Sequence, residues 1–265
     1  MKLTVIGSGN MGSAIVRGLM QGNIFKAEDI TIIDIHQAPL DVLKKEYPSL
    51  NTVMGNFDTV AEADIILLAV KPWLIHDLIT DIKLKMDYRR QILVSIAAGV
   101  RFEAMEDSLK IHPVTDELPA IFRVIPNTAI AVKQSMTLIS SKRASYEQES
   151  LLLEIFNELG SAVLLEENKL VAGTALTSCG IAYLFRYVRA ATLAGVEMGF
   201  YPKEAQNMVI NTMLGAAELL KATGQDPETE IDKVTTPGGI TIKGLNELEA
   251  NGFSDAIIKA MKASR

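Results

Sequence analysis

Lys2-Leu3-Thr4-Val5-Ile6-Gly7-Ser8-Gly9-Asn10-Met11-Gly12 decides how the first half of the chain reads. Residues 2–6 form a short apolar strand, and Met11, Ile15, Val16, Leu19 and Met20 then recur at helical spacing until Gly22 can end the helix. A strand leading into Gly-x-Gly-x-x-Gly and an amphipathic helix is the context in which such glycines hold a dinucleotide. Gly7 permits the tight turn, Gly9 lets the backbone approach a pyrophosphate, and Gly12 lets helix and strand pack closely. The helix start then turns its amide hydrogens and positive dipole end towards phosphate. Gly7, Ser8, Gly9, Asn10, Met11 and Gly12 are therefore candidate cofactor ligands.

Working outward, strands are expected at 30–33, 65–70, 92–96, 122–125, 136–139 and 162–165. Several are continuous apolar runs, as expected when helices cover both faces of a parallel sheet. Ser145 with Gln148 reads as a capping box opening one of those helices, and Gly160 as its stop. Residues 1–165 are read as a doubly wound, Rossmann-like α/β domain.

Asp34 closes the second strand, about 20 residues beyond the last glycine of the turn. A carboxylate there accepts hydrogen bonds from the adenosine ribose hydroxyls and repels a 2′-phosphate. Ile35, His36, Gln37 and Ala38 include no Arg or Lys to hold that phosphate, so the local chemistry favours NADH over NADPH. Ala69-Val70-Lys71-Pro72 follows the next strand, where Lys71 faces either cofactor or solvent. Ala97, Ala98 and Gly99 follow another strand, and small residues there leave room for riboses or nicotinamide.

The pattern changes after Glu166. Residues 168–199 are apolar or small on most sides, which suits a helix buried in a subunit interface, with Gly173, Gly180 and Gly195 marking close helix contacts or a break. Pro202 opens a helix towards Lys221 and Gly224, and Asp226-Pro227 opens another. Residues 235–241 interrupt the helical pattern, Gly244 onward resumes it, and a last helix follows Asn251-Gly252. Residues 166–265 are read as an all-helical domain.

The bulk numbers set limits. With 26 Lys and Arg against 32 Asp and Glu, the net charge of -6 gives no overall attraction to nucleic acid or an anionic membrane. No apolar run approaches the roughly 20 residues of a spanning helix. A single cysteine, Cys179, and an N-terminal stretch without a charged leader point to a reducing cytoplasm. His36, His76 and His112 form no evident catalytic or metal-binding cluster and are read as surface or structural.

The chain resembles the pyrroline-5-carboxylate reductase family over almost its whole length. The most specific part is Asp232-Lys233-Val234-Thr235-Thr236-Pro237-Gly238-Gly239-Ile240-Thr241-Ile242-Lys243-Gly244-Leu245, followed by Leu248-Glu249 and Gly252-Phe253. Supporting matches are the Gly7 to Gly12 turn, Asn56, Val70-Lys71-Pro72 and Arg123-Val124-Ile125-Pro126-Asn127-Thr128. The resemblance implies reduction of the imine L-1-pyrroline-5-carboxylate to L-proline by hydride transfer from NADPH or NADH. It places the substrate on Thr236, Gly238, Gly239, Ile240 and Thr241, with Thr241 reaching the ring nitrogen as the catalytic group. It sets Asn56 at the adenosine ribose. Val70 to Pro72 and Ala97 to Gly99 border the rest of the cofactor. It also implies self-association through the C-terminal helices, as a dimer or a larger ring-like decamer.

General chemistry agrees: consecutive amides in a glycine loop bind a carboxylate, and reducing a C=N bond depends on positioning and on protonation at nitrogen rather than on a strong side-chain acid. Where the family has Gly-Ser-Gly-Pro-Ala-Tyr, this chain has Ser178-Cys179-Gly180-Ile181-Ala182-Tyr183. Without the proline a more regular helix is expected there. Cys179 has no adjacent basic partner and is not read as a nucleophile. Competing readings are a two-domain hydroxyacid dehydrogenase, for which Lys169 is the nearby candidate base, a related imine reductase, and a non-catalytic dinucleotide sensor, which needs no intact 236–241 loop.

Overall fold

The computed structural model describes residues 1–111 and 117–265, so His112 lies outside the described residues. The chain divides into two compact units, Met1–Ser178 and Cys179–Arg265.

The first unit runs β1 (Leu3–Ile6), α1 (Asn10–Leu19), β2 (Ile30–Asp34), α2 (Gln37–Glu46), β3 (Asn51–Met54), β4 (Ile65–Leu68), α3 (Ile75–Ile82), β5 (Ile92–Ser95), α4 (Phe102–Leu109), β6 (Ala120–Ile125), β7 (Ser135–Lys142), α5 (Tyr146–Asn157), β8 (Gly160–Leu164) and α6 (Leu170–Thr174). The strands form one sheet in the order β3-β2-β1-β4-β5-β6-β7-β8. Strand order reverses at β1, which pairs with β2 on one side and β4 on the other. A crevice at the carboxyl ends of β1 and β4 is where a doubly wound sheet takes its ligand.

Successive strand residues point to opposite faces, and both faces are covered. Leu3 and Val5 of β1 and Ile65 and Leu67 of β4 join a core with Ile15, Leu19 and Phe156 from α1 and α5. Ile6, Ile66 and Leu68 join a second core with Ile79 of α3 and Met105 of α4. That double burial explains the continuous apolar runs, each large aliphatic side chain contributing about 1.5–3 kcal/mol.

Three details of the sheet differ from expectation. The sheet is mixed, because β7 runs antiparallel to β6. The short link at 126–134 cannot hold the crossover helix that a parallel return requires. β3 was not expected: it is a half-exposed edge strand, Asn-Thr-Val-Met, with no apolar run to announce it. Gly160 opens β8 instead of stopping α5. Its φ is +141, and a Cβ there would lie 2.2 Å from the Ser135 carbonyl oxygen.

Residues Ala175–Cys179 wind as a π-type turn, so the absent proline does not leave a regular helix before Gly180. The Thr177 carbonyl accepts a hydrogen bond from Asn127 Nδ2 at 3.2 Å, which partners a group that the wide turn displaces. Gly173 marks a close approach, since a Cβ there would meet Leu138 Cδ1 at 2.5 Å.

The second unit is all helical: α7 (Gly180–Glu197), α8 (Pro202–Thr223), α9 (Pro227–Lys233), α10 (Ile240–Ala250) and α11 (Phe253–Ala263). A Cβ on Gly195 would come 2.7 Å from the Ala205 Cβ, so glycine lets α7 and α8 touch. Gly224 ends α8 in the left-handed region, and Asp226 caps α9 through the Thr229 amide and hydroxyl. α10 begins at Ile240, earlier than the expected resumption at Gly244. Unlike the sheet cores, α7 leaves apolar side chains uncovered, with Leu184 53% and Phe185 63% exposed. Among the described residues no helix is long and apolar enough to cross a membrane.

Candidate active site

The glycine turn joins β1 to α1 with its backbone pressed against β4. Gly7 has φ +109, and a Cβ on it would lie 2.5 Å from the Ala69 carbonyl oxygen. At Gly12 a Cβ would fall 2.0 Å from the Gly7 carbonyl oxygen. Gly9 is the opposite case: it stands at the N-cap of α1, a Cβ there would meet nothing within 4 Å, and no side chain caps the helix. The turn is thus closed towards the protein and open where the first amides of α1 face outward, a cradle that fits a pyrophosphate.

Asp34 is tied to this turn. One carboxylate oxygen accepts from the Ser8 amide at 2.7 Å and the Ser8 hydroxyl at 2.6 Å, and the other accepts from the His36 amide at 2.9 Å. Burial pushes the Asp34 carboxyl up, but these bonds outweigh it and hold it below the usual carboxylate value. The Gly55 amide donates to the Asp34 carbonyl at 3.0 Å, which brings exposed Asn56 next in the chain to the same end of the sheet. Asn56 Oδ1 accepts from the Asp58 amide at 2.7 Å.

The other expected cofactor residues lie beyond neighbouring strands. The Ala69 amide bonds the Ile6 carbonyl at 2.7 Å, and Lys71, exposed, starts the turn into α3 with Pro72 in its first position. Ala97 is buried, whereas Ala98 and Gly99 are exposed, Gly99 with φ +82. Pro72, His76 and Gly99 share the wall of an open cleft of about 580 Å³ with Arg101 and Ser108.

The 235–241 loop lies in the second unit. Gly238 takes φ +72, and the Gly239 amide closes the turn onto the Thr236 carbonyl at 2.9 Å. A Cβ on Gly239 would lie 2.6 Å from the Thr236 hydroxyl oxygen. Gly239 is the N-cap of α10 and no side chain caps it, so Ile240 and Thr241 sit in the first helical turn, whose amides lack intrahelical acceptors. The loop therefore offers two amides and a nearby hydroxyl to an anion.

Residues 167–265 match the family model described as "Pyrroline-5-carboxylate reductase dimerisation", and residues 2–99 match "NADP oxidoreductase coenzyme F420-dependent". The pyrroline-5-carboxylate reductase of Methanosarcina acetivorans is 33% identical over 100% of this chain and 97% of its own length. The chain belongs to the pyrroline-5-carboxylate reductase family. Pyrroline-5-carboxylate reductase 1 of Dictyostelium discoideum is 36% identical over 99% of the chain, which spans 48% of that longer protein. The crystal structure of Plasmodium falciparum pyrroline carboxylate reductase with NADP bound has a TM-score of 0.85 and 28% identity, covering 100% of this chain and 95% of that one. The activity is that of the family: NAD(P)H-dependent reduction of pyrroline-5-carboxylate to proline.

Other residues of this reductase take lesser parts. His36 is exposed, and His76 bonds the Ser108 hydroxyl through Nδ1 at 2.8 Å. Lys169 is exposed, and Cys179 ends the π-type turn. Among the described residues no group of three His, Cys, Asp or Glu side chains is placed to hold a metal. The two hydrogen bonds from Ser8 to Asp34, across 26 positions, have no local sequence signal. An ion pair between Arg123 and Glu167 had no local signal, since 44 positions separate its partners.

Proposed function

We propose that this reductase divides its ligands between the two glycine-opened helix starts. The dinucleotide binds at Gly7, Ser8, Gly9, Asn10, Met11 and Gly12, with Asp34 and Asn56 at the adenosine ribose. Ala69, Val70, Lys71, Pro72, Ala97, Ala98 and Gly99 border the remainder. On this reading residues 1–165 serve the cofactor, and residues 166–265 serve the imine and self-association. The observation that carries it is the open face at Gly9 beside an Asp34 carboxylate already held by Ser8 and His36.

The fixed negative charge of Asp34 favours NADH, because a 2′-phosphate would meet it in a partly desolvated place. NADPH is the less favoured cofactor. The Plasmodium relative's bound NADP is consistent with a fold that takes either form. When bound, the reduced nicotinamide supplies the hydride. The chain's part is to hold the imine: the amides of Ile240 and Thr241 and the Thr236 hydroxyl take its carboxylate, with Gly238 and Gly239 shaping the loop. The Thr241 hydroxyl orients the ring nitrogen. Hydride addition to the protonated C=N bond then needs positioning and electrostatics and no side-chain nucleophile.

Self-association follows from the uncovered apolar faces of α7 and α8. Leu184, Phe185, Leu193 and Leu214 are exposed, and large apolar side chains left open on two packed helices mark a surface for association. The reading is a C-terminal dimer, as the smallest unit of any larger ring, working in the cytoplasm.

Initial rates at matched NADH and NADPH, with L-1-pyrroline-5-carboxylate as substrate and L-proline identified as product, test this reading. Turnover with both and a higher kcat/KM for NADH are expected. A folded sample that binds either cofactor and makes no proline would overturn it.

A further inference from the structure

Arg123 lies in β6, directly paired in register with Ser95 at the end of β5, and is only 5% exposed. Its Nη1 donates to Glu167 Oε1 at 2.6 Å. The same carboxylate oxygen accepts the amide of Phe102, the first residue of α4, at 2.8 Å. The guanidinium also sits 6.0 Å from the centre of the Phe102 ring, within range of a cation–π contact. Its Nε is buried and has no partner among the described residues. The buried cation at the ring and its carboxylate partner at the amide thus converge on Phe102.

A buried ion pair of this kind is a poor source of stability, because desolvating both ions offsets their attraction and apolar isosteres often serve as well. What it supplies is geometry. Residues 96–101 connect β5 to α4 and include Ala97, Ala98 and Gly99. The loop is pinned at its start by the Ile96 amide on the Leu68 carbonyl at 3.1 Å, and at its finish by the Phe102 amide on Glu167. Gly99, between them, has φ +82 and nothing near its Cβ position, so packing does not fix its shape.

We propose that Arg123 and Glu167 are positioning residues for the cofactor: Arg123 orients Glu167, Glu167 anchors the Phe102 amide, and the pair fixes the loop at 96–101. The proposal rests on the reading that Ala97 to Gly99 border the dinucleotide. It is specific to the cofactor side, so loss of the pair raises the KM for the dinucleotide and leaves that for the imine unchanged.

The test uses the full-length reductase. In Arg123→Met/Glu167→Leu both charges are replaced by apolar groups of similar size, which leaves no lone buried charge while removing the Phe102 anchor. A dinucleotide KM raised about tenfold is expected, matched by a dinucleotide Kd raised about tenfold in calorimetric titration without imine, with the imine KM within about twofold, as for displacement of a binding loop away from the chemistry. Glu167→Gln keeps an oxygen acceptor for the Phe102 amide and restores the dinucleotide KM to within about threefold of the parent. Should the double variant fold poorly, Arg123→Lys carries the same test: it keeps the charge, loses the planar fork, and raises the dinucleotide KM alone. Ala98→Leu, at an exposed position without the positive φ of Gly99, is the control on the underlying reading. If it raises the dinucleotide KM while the Arg123 variants do not, the positioning role is wrong and the border reading stands. If neither moves it, residues 97–99 do not border the cofactor and the proposal falls with that reading. Equal rises in both KM values in the Arg123 variants also overturn it.

Discussion

Residues 7–12 and 235–241 are both glycine turns that feed an uncapped helix, yet glycine acts differently in them. At Gly7 and Gly12 a methyl group would strike backbone oxygen, at 2.5 and 2.0 Å, so the first turn takes its shape from packing against β4 and itself. At Gly238 a methyl would meet open space and only the φ of +72 requires glycine, while at Gly239 the nearest obstacle is the Thr236 hydroxyl. The second turn is shaped by its own chain. Changes at Gly7 or Gly12 should therefore disturb fold and binding together, and changes in the second turn mainly binding.

The sharpest break is Gly12→Ala, which forces backbone apart and is expected to cost about 3 kcal/mol and abolish dinucleotide binding, read by denaturant unfolding and calorimetric titration. Next is Phe185→Glu on the exposed face of α7, expected to convert the associated form to monomer in light scattering, with the first unit's circular dichroism retained. Gly238→Ala should cost only about 1 kcal/mol, from the left-handed backbone, and raise the imine KM well beyond what that loss explains. Asp34→Ser should raise kcat/KM for NADPH about tenfold relative to NADH by removing the opposing charge.

The smallest effect concerns pH. Against the opposing effect of burial, hydrogen bonds from Ser8 and His36 hold the Asp34 carboxyl below the usual carboxylate value in the folded chain. Its bonds to Ser8 and His36 therefore contribute stability that is complete above that unfolded-type value and lost as pH falls through the folded one. Asp34→Asn should remove that share, so its unfolding midpoint should fall less steeply than the parent's as pH drops below the usual carboxylate value. An unchanged slope would mean the carboxylate's bonds do not contribute to folding.

How far the sequence reached follows the same contrast. Gly7, Gly9 and Gly12 were legible because a dinucleotide turn imposes a different steric demand on each. Burial on both faces made β1, β4 and β5 visible as apolar runs. β3 was hidden because an edge strand with half-exposed residues needs no such run. The role of Gly160 was misread: its φ of +141 answers the backbone of Ser135, and no local pattern reveals a neighbour brought in by strand pairing. The direction of β7 was readable in principle from the short link at 126–134. In the candidate site, the resemblance to the family singled out 236–241 as the expected substrate loop, but that the Gly239 amide bonds the Thr236 carbonyl, leaving those of Ile240 and Thr241, depends on where α10 begins. The Arg123 to Glu167 pair lay beyond reach, because only the tertiary fold joins its partners.

The central claim is that the two turns hold different ligands, and crossed steady-state kinetics test it most directly. Gly9→Ala adds a methyl group on the open face of the first turn, and Thr236→Val removes the hydroxyl from the second, with little expected cost to folding in either case. Gly9→Ala should raise the KM for the dinucleotide alone, and Thr236→Val that for pyrroline-5-carboxylate alone. If both variants shift both constants equally, or if the effects are exchanged, the assignment of ligands to turns is wrong.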